Sequence, residues 1–330
     1  MKDKILIWFD YSLIFFGIAK FLKDNYDCDI SSIIESHPKP KTFYQSQKIL
    51  NFQNCWFIWD HVNKFKKPDI NYLLNFEKKY KINLWVIAYS ERYFSNYNYY
   101  HKFSRKEILS LLEQECKFFE KVLDTSNPDF IIIPEYVFHH LCLFYEICKA
   151  KGIKILMLTP GKFQKRWIFE ETNFEKKKNP ELLDESTLSI IDLKKFLFDN
   201  SQFPVVEKYA NTNNPIKMIF NLKSLRNIFL YFFTKDENLN RFVEIGRTKP
   251  KIIKKMIPLL IKTQIRERFL NKNSCKVLDK NEKFLYFPLS IEPERNLEVL
   301  TPFFPDQFEL ISKIAKSLPV DYKLYVKEHP

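Results

Sequence analysis

Phe284-Leu285-Tyr286-Phe287-Pro288-Leu289-Ser290-Ile291-Glu292-Pro293-Glu294 and, further on, Lys323-Leu324-Tyr325-Val326-Lys327-Glu328-His329-Pro330 each begin as a short apolar run and end in a charged, proline-bearing signature. Between them the sequence predicts a helix over 306–318. Its apolar positions 308, 310, 311, 314, 315 and 318 form one face, and Asp306 with Glu309 makes an Asp-x-x-Glu start signal. Strand, helix and strand in that order read as a βαβ unit, which makes the two strands parallel and the fold class α/β. Both signatures then leave the same carboxyl edge, where ligands of such sheets bind. A βαβ piece of this size does not bury a full core of its own. The expectation is therefore an incomplete second Rossmann-like domain in a protein that continues past Pro330.

Working upstream, the first half alternates strand and helix. Ile5–Phe9, Ile30–Ile34, Trp56–Trp59, Leu84–Ala88, Phe130–Ile133 and Ile153–Leu158 are apolar runs of strand length. Helical faces run over Leu13–Leu22, over Arg105–Leu123 behind Ser104 as N-cap, and over Tyr136–Lys151, which stops at Gly152. This predicts an N-terminal doubly wound parallel sheet in residues 1–215, a basic helical connector in 216–275, and the start of the second domain in 276–330. Pro258 is expected to kink or split any helix of the connector. The strand exits collect Asp10, Asp60, His61, Glu91, Arg92, Glu135 and the Thr159–Arg166 loop on one rim, where each residue taken singly serves equally well as a helix cap or loop residue.

Composition narrows the chemistry. The chain has 330 residues, 45% of them hydrophobic, without an apolar run of the roughly 18 residues that span a bilayer. Met1-Lys2-Asp3-Lys4 and the short block behind it read as a first strand rather than a secretion signal. Six cysteines without a Cys-x-x-Cys pair point to a reducing compartment and no structural zinc. Four glycines exclude a Gly-x-Gly-x-x-Gly turn and a Walker A loop. A phosphate must then be held by helix N-termini and side chains. Net charge is +13, and Ile216–Lys272 holds fourteen Lys/Arg against four Asp/Glu. Such a block suits nucleic acid, an anionic membrane surface or an acidic polymer, and equally a solvated face.

The segments Tyr286–Glu294, Leu318-Pro319 and Tyr325–Pro330, with Asp306-Gln307 and Ile311–Leu318 between them, resemble bacterial capsule polysaccharide biosynthesis proteins. These include the Kdo transferases of capsule lipid-linker assembly, and the His-Pro motif is similar to that of bacterial polysialyltransferases. Pro128–Ile132 and Lys151–Ile153 share the family's cadence more loosely. The resemblance implies a GT-B-like glycosyltransferase that takes an acidic sugar from a CMP-sugar substrate, with no obligatory cofactor or metal. It places the acceptor, lipid-linked or polysaccharide, in the N-terminal domain. It assigns donor binding to Pro293, Glu294, Lys327, Glu328, His329 and Pro330. Ser290 stands where the family usually has histidine, and the family's later Ser/Thr-rich donor-binding part is absent from this sequence.

The catalytic base then comes from among Asp10, Asp60, Glu91 and Glu135. His139, His140 and Arg166 are the candidate acceptor contacts. Adjacent histidines point about 100° apart on a helix, which argues against a shared metal and leaves the metal-site prediction at none. No Gly-x-Ser-x-Gly elbow or RNA-binding motif is present. A basic nucleic-acid-binding module and a transferase using another nucleotide donor are the alternatives, although nucleic acid is not the expected partner. The expected location is the cytoplasm, with the basic block able to rest peripherally on the inner face of the bacterial membrane.

Overall fold

The computed structural model describes residues 2–10, 13–36, 38–62, 65–95, 100–160, 167–170, 245–275, 282–290 and 306–328. The chain divides into two compact units, one of Met1–Leu84, Arg105–Glu207 and Leu239–Arg241, the other of Trp85–Ser104, Lys208–Asn238 and Phe242–Pro330.

In the first unit, β1 (Asp3–Phe9), β2 (Cys28–Ile34), β3 (Cys55–Phe57), β4 (Phe130–Pro134), β5 (Lys154–Pro160) and β6 (Trp167–Glu170) form one sheet in the order β3-β2-β1-β4-β5-β6. The first five are parallel and β6 is antiparallel to β5. The strands are apolar because both faces are covered, as a parallel sheet requires. On one face Ile5, Ile7 and Phe9 pack with Phe15, Phe16 and Ala19 of α1 (Ile14–Asn25) and with Tyr44 of α2 (Pro38–Ser46). Residues of opposite parity turn the other way. Trp8 meets Phe119 of α7 (Arg105–Ser126) and Phe144 of α8 (His139–Ala150) at ring distances of 6.0 and 5.4 Å.

Helix α8 ends as the sequence predicts. Gly152 has φ +70, its N–H donates to Lys149 O, and Ile153 N–H donates to Cys148 O. This double closure uses carbonyls that the last turn would otherwise leave unpaired. The short α3 (Ile58–His61) follows β3 directly, so Asp60 and His61 stand on a helical turn rather than at a strand exit. Helix α4 (Ile70–Tyr80) is tied to α7 through one carboxylate: Glu120 accepts from Tyr72 at 2.7 Å, Lys79 at 2.6 Å and Tyr80 at 2.8 Å. Burial pushes the Glu120 carboxyl up, and these three donors together outweigh it and hold it below its ordinary value.

The strand expected at Leu84–Ala88 is a helix, α5 (Leu84–Tyr89). Leu84, Ile87 and Ala88 are buried while Trp85, Val86 and Tyr89 are exposed, a helical face within an apolar run too short to declare its period. Glu77 Oε1 accepts the Leu84 N–H at 2.8 Å, which starts the turn. Glu91 and Arg92 therefore follow a helix, with Arg92 opening α6 (Arg92–Ser95).

In the second unit, α9 (Lys249–Asn273) runs through Pro258 as one helix, so of the expected kink or split the split does not occur. The predicted βαβ unit is formed by β7 (Lys283–Pro288), α10 (Gln307–Ser317) and β8 (Tyr322–Lys327), with β7 and β8 parallel in register from Lys283↔Tyr322 to Pro288↔Lys327. Asp306 caps α10 by accepting from Phe308 and Glu309 N–H, while the Glu309 side chain pairs with Lys313 at 2.7 Å. The readings of 161–166, in the Thr159–Arg166 loop, and of 171–244 lie outside the described residues. No helix among the described residues is long and apolar enough to cross a membrane.

Candidate functional site

β1 and β4 are neighbours, yet the helices that follow them cover opposite faces, α1 with the Phe9 side and α8 with the Trp8 side. That divergence is a topological switch point, at whose carboxyl edge open parallel sheets form their ligand crevice. Ile7 and Ile132 are register partners, and three residues beyond each stand Asp10 and Glu135. Asp10 is half-buried and its charge, after burial itself, helps push the Tyr44 phenol up to about 12. Glu135 is exposed. These two candidate bases therefore share the crevice edge. Asp60 is held by Lys41 of α2 at 2.6 and 2.7 Å. The neighbouring His61 imidazole is pushed below its ordinary value by burial and by Lys121, against the pull of Asp60. Glu91 is buried in the second unit and accepts Tyr93 N–H at 3.2 Å.

On the Trp8 face lies a cluster that includes two residues absent from the sequence-based candidates, Glu35 and Glu115. Glu35 follows β2, and its N–H donates to Phe9 O at 2.8 Å. Period-two alternation puts it on the side of Ile33 and Trp8. There Glu35 Oε2 accepts from Trp8 Nε1 at 3.3 Å and lies 3.2 Å from His140 Nε2. Glu115, on the buried stripe of α7, reaches His139 Nε2 at 3.0 Å. All four side chains are nearly or fully inaccessible to solvent. Glu115 Oε2 has no hydrogen-bond partner among the described residues. One ligand atom from each of Glu115, His139 and His140 lies within 4.8 Å of the other two, so this trio has the donors and spacing to hold a metal ion. Trp8 and Phe138 stack on the His140 ring at 5.8 Å, and Trp59 meets it edge-on at 5.4 Å.

The two histidines read as acceptor contacts are thus interior residues. Their adjacency does not make them compete, because each faces a carboxylate from a different element. The signal was present in the sequence: Glu115 falls four residues after Leu111 and four before Phe119, inside the apolar stripe, and Glu35 closes a strand.

In the second unit, the carboxyl edge of β7 and β8 carries the two signatures side by side. Leu289 N–H donates to Lys327 O at 2.8 Å. Gln307 holds the turn by accepting Ser290 N–H at 2.7 Å and donating to Ser290 O at 3.0 Å. Lys327 is exposed, and Glu328 pairs with Arg266 of α9. Arg166, Pro293, Glu294, His329 and Pro330 lie outside the described residues.

The fold and the edge define an α/β protein with a five-stranded parallel sheet flanked by helices. No protein-family model and no curated protein sequence matches the chain.

Proposed function

We propose that the protein is a GT-B-like glycosyltransferase of capsule or surface polysaccharide synthesis, moving an acidic sugar of the Kdo or sialic-acid type from its CMP-activated form to a lipid-linked or glycan acceptor. The observation that carries this reading is the pairing Pro288↔Lys327, with Leu289 hydrogen-bonded to the Lys327 carbonyl. It seats the Pro-Leu-Ser turn against the segment that leads into His329-Pro330, so two distant halves of one signature leave a single edge. On this reading Pro293, Glu294, Lys327, Glu328, His329 and Pro330 receive the donor. The His329 imidazolium pairs with the phosphate as the nucleotide departs. Asp10 or Glu135 at the crevice of the five-stranded sheet takes the proton of the acceptor hydroxyl. The exposed Ile261, Ile265 and Phe269, four residues apart on α9 among Lys262, Arg266, Arg268 and Lys272, support a peripheral seat on an anionic membrane beside a lipid-linked acceptor.

The test is transfer and donor hydrolysis by the intact protein with CMP-Kdo and CMP-sialic acid. Turnover that falls at least about a hundredfold in His329→Ala supports the reading. Absence of turnover with both donors removes the donor assignment, and a salt-sensitive gel shift with RNA would favour a nucleic-acid-binding module instead. Failure to float with anionic vesicles would remove the membrane seat.

A further inference from the structure

We propose that Glu115, His139 and His140 form a buried site for a divalent transition metal, with zinc the ion it suits best, and that Glu35 orients His140 from outside it. Two imidazoles and one carboxylate are a ligand set zinc accepts, at bond lengths of about 2.0–2.2 Å. Those lengths set ligand atoms about 3.3–3.6 Å apart in a tetrahedron. His139 Nε2 and Glu115 Oε1 are 3.0 Å apart, and one donor atom from each of the three residues lies within 4.8 Å of the other two.

Three observations favour the ion over a hydrogen-bonded cluster alone. Glu115 Oε2 is fully buried and has no hydrogen-bond partner among the described residues, although a buried carboxylate oxygen is costly to leave unmatched. His140 Nε2 is held by Glu35, the carboxylate–histidine arrangement that fixes tautomer and ring orientation around a metal; in it His140 would present Nδ1 to the ion. Two carboxylates and two imidazoles, donor groups that zinc takes, are buried together. Trp8, Trp59 and Phe138 around His140 supply a dry shell, which suits a structural ion tying the start of α8 to α7.

The intact protein is purified from zinc-supplemented cells without chelator and its metal content counted by mass spectrometry. It is then unfolded with chelator and refolded with Co2+ as the probe. The proposal expects about one zinc per chain, ligand-field absorption of low-symmetry Co2+, and quenching of tryptophan emission through the neighbouring Trp8 and Trp59. Glu115→Gln should abolish the Co2+ bands, and Glu35→Gln should weaken affinity about 10–100-fold. Far substoichiometric zinc together with Co2+ that gives neither bands nor quenching overturns the proposal, as does wild-type Co2+ affinity in Glu115→Gln. Should Glu115→Gln fail to fold, the zinc count and Co2+ titration of the wild-type protein decide. Glycosyl transfer plays no part in these readouts.

Discussion

The five parallel strands of the first unit and the two of the second obey one rule, strand–helix–strand with parallel pairing, and end in different solvent environments. Leu6, Trp8, Ile33, Ile131 and Ile133 are inaccessible to solvent, whereas Phe284 and Leu285 of β7 keep 38% of their surface exposed and Tyr286 keeps 50%. A sheet covered on both faces stores its stability in close packing. The pair β7–β8 relies more on polar ties, among them Tyr325 donating to Glu282 at 2.8 Å and Lys283 paired with Asp321 at 2.7 Å. Exposed pairs of this kind contribute little each. The two regions should therefore respond differently to the same kind of substitution.

The largest expected effect is Trp8→Ala, which deletes a fully buried indole and should cost about 3–5 kcal/mol in urea unfolding followed by circular dichroism. Leu285→Ala in β7 should cost only about 1 kcal/mol. Equal costs would break the comparison. Next comes Glu35→Leu, which strips the acceptor from Trp8 Nε1 and the buried carboxylate from His140, for about 3 kcal/mol. A neutral outcome would show that the cluster tolerates an apolar replacement, as some buried ion pairs do.

Glycines sharpen the contrast from the backbone side. A methyl group on Gly246, at φ +76 in the second unit, would lie 2.9 Å from Tyr100 O and from His101 Cβ, so Gly246→Ala should destabilise by about 1–3 kcal/mol. A methyl group on Gly17 of α1 meets nothing within 4 Å, and Gly17→Ala should stabilise by about 0.5–1 kcal/mol through helix propensity. Opposite shifts in melting temperature check the pair.

The smallest effect is a pH dependence. Glu120 is held below its ordinary 4.5, so its contribution is present above that value and is lost as pH falls through the lowered one. Lys79 is raised above 10.5, first by its bond to Glu120 and next by Tyr80; its contribution is present below that value and is lost as pH rises through the raised one. Glu120→Gln should flatten both limbs of a stability–pH curve, and unchanged limbs would remove Glu120 from the account.

Much of this fold was legible because buried parallel strands read as unbroken apolar runs. Ile5–Phe9 and Phe130–Ile133 needed nothing beyond that. Gly152 and Asp306 were readable because their roles are local, a positive φ in one case and a capping carboxylate in the other. Leu84–Ala88 misled because five apolar residues fit either period, and the deciding partner, Glu77, acts across a turn. The crevice was half legible. Strand exits named Asp10 and Glu135, but Glu35 and Glu115 were passed over because acidic residues in an apolar pattern declare themselves only when the facing histidines are known. Asp60 was read as a strand exit, but the strand gives way to a helical turn one residue after Phe57.

The Gln307 side chain carries one more implication. Its amide meets the main chain of Ser290 with both its oxygen and its nitrogen, as a peptide group of an adjoining strand would. Helix α10 thus lends the turn a surrogate backbone, and the turn cannot slip by a residue without losing both bonds at once. Glutamate there would lack the donor and lysine the acceptor, so a single side chain acts as the pin that indexes one signature against the other.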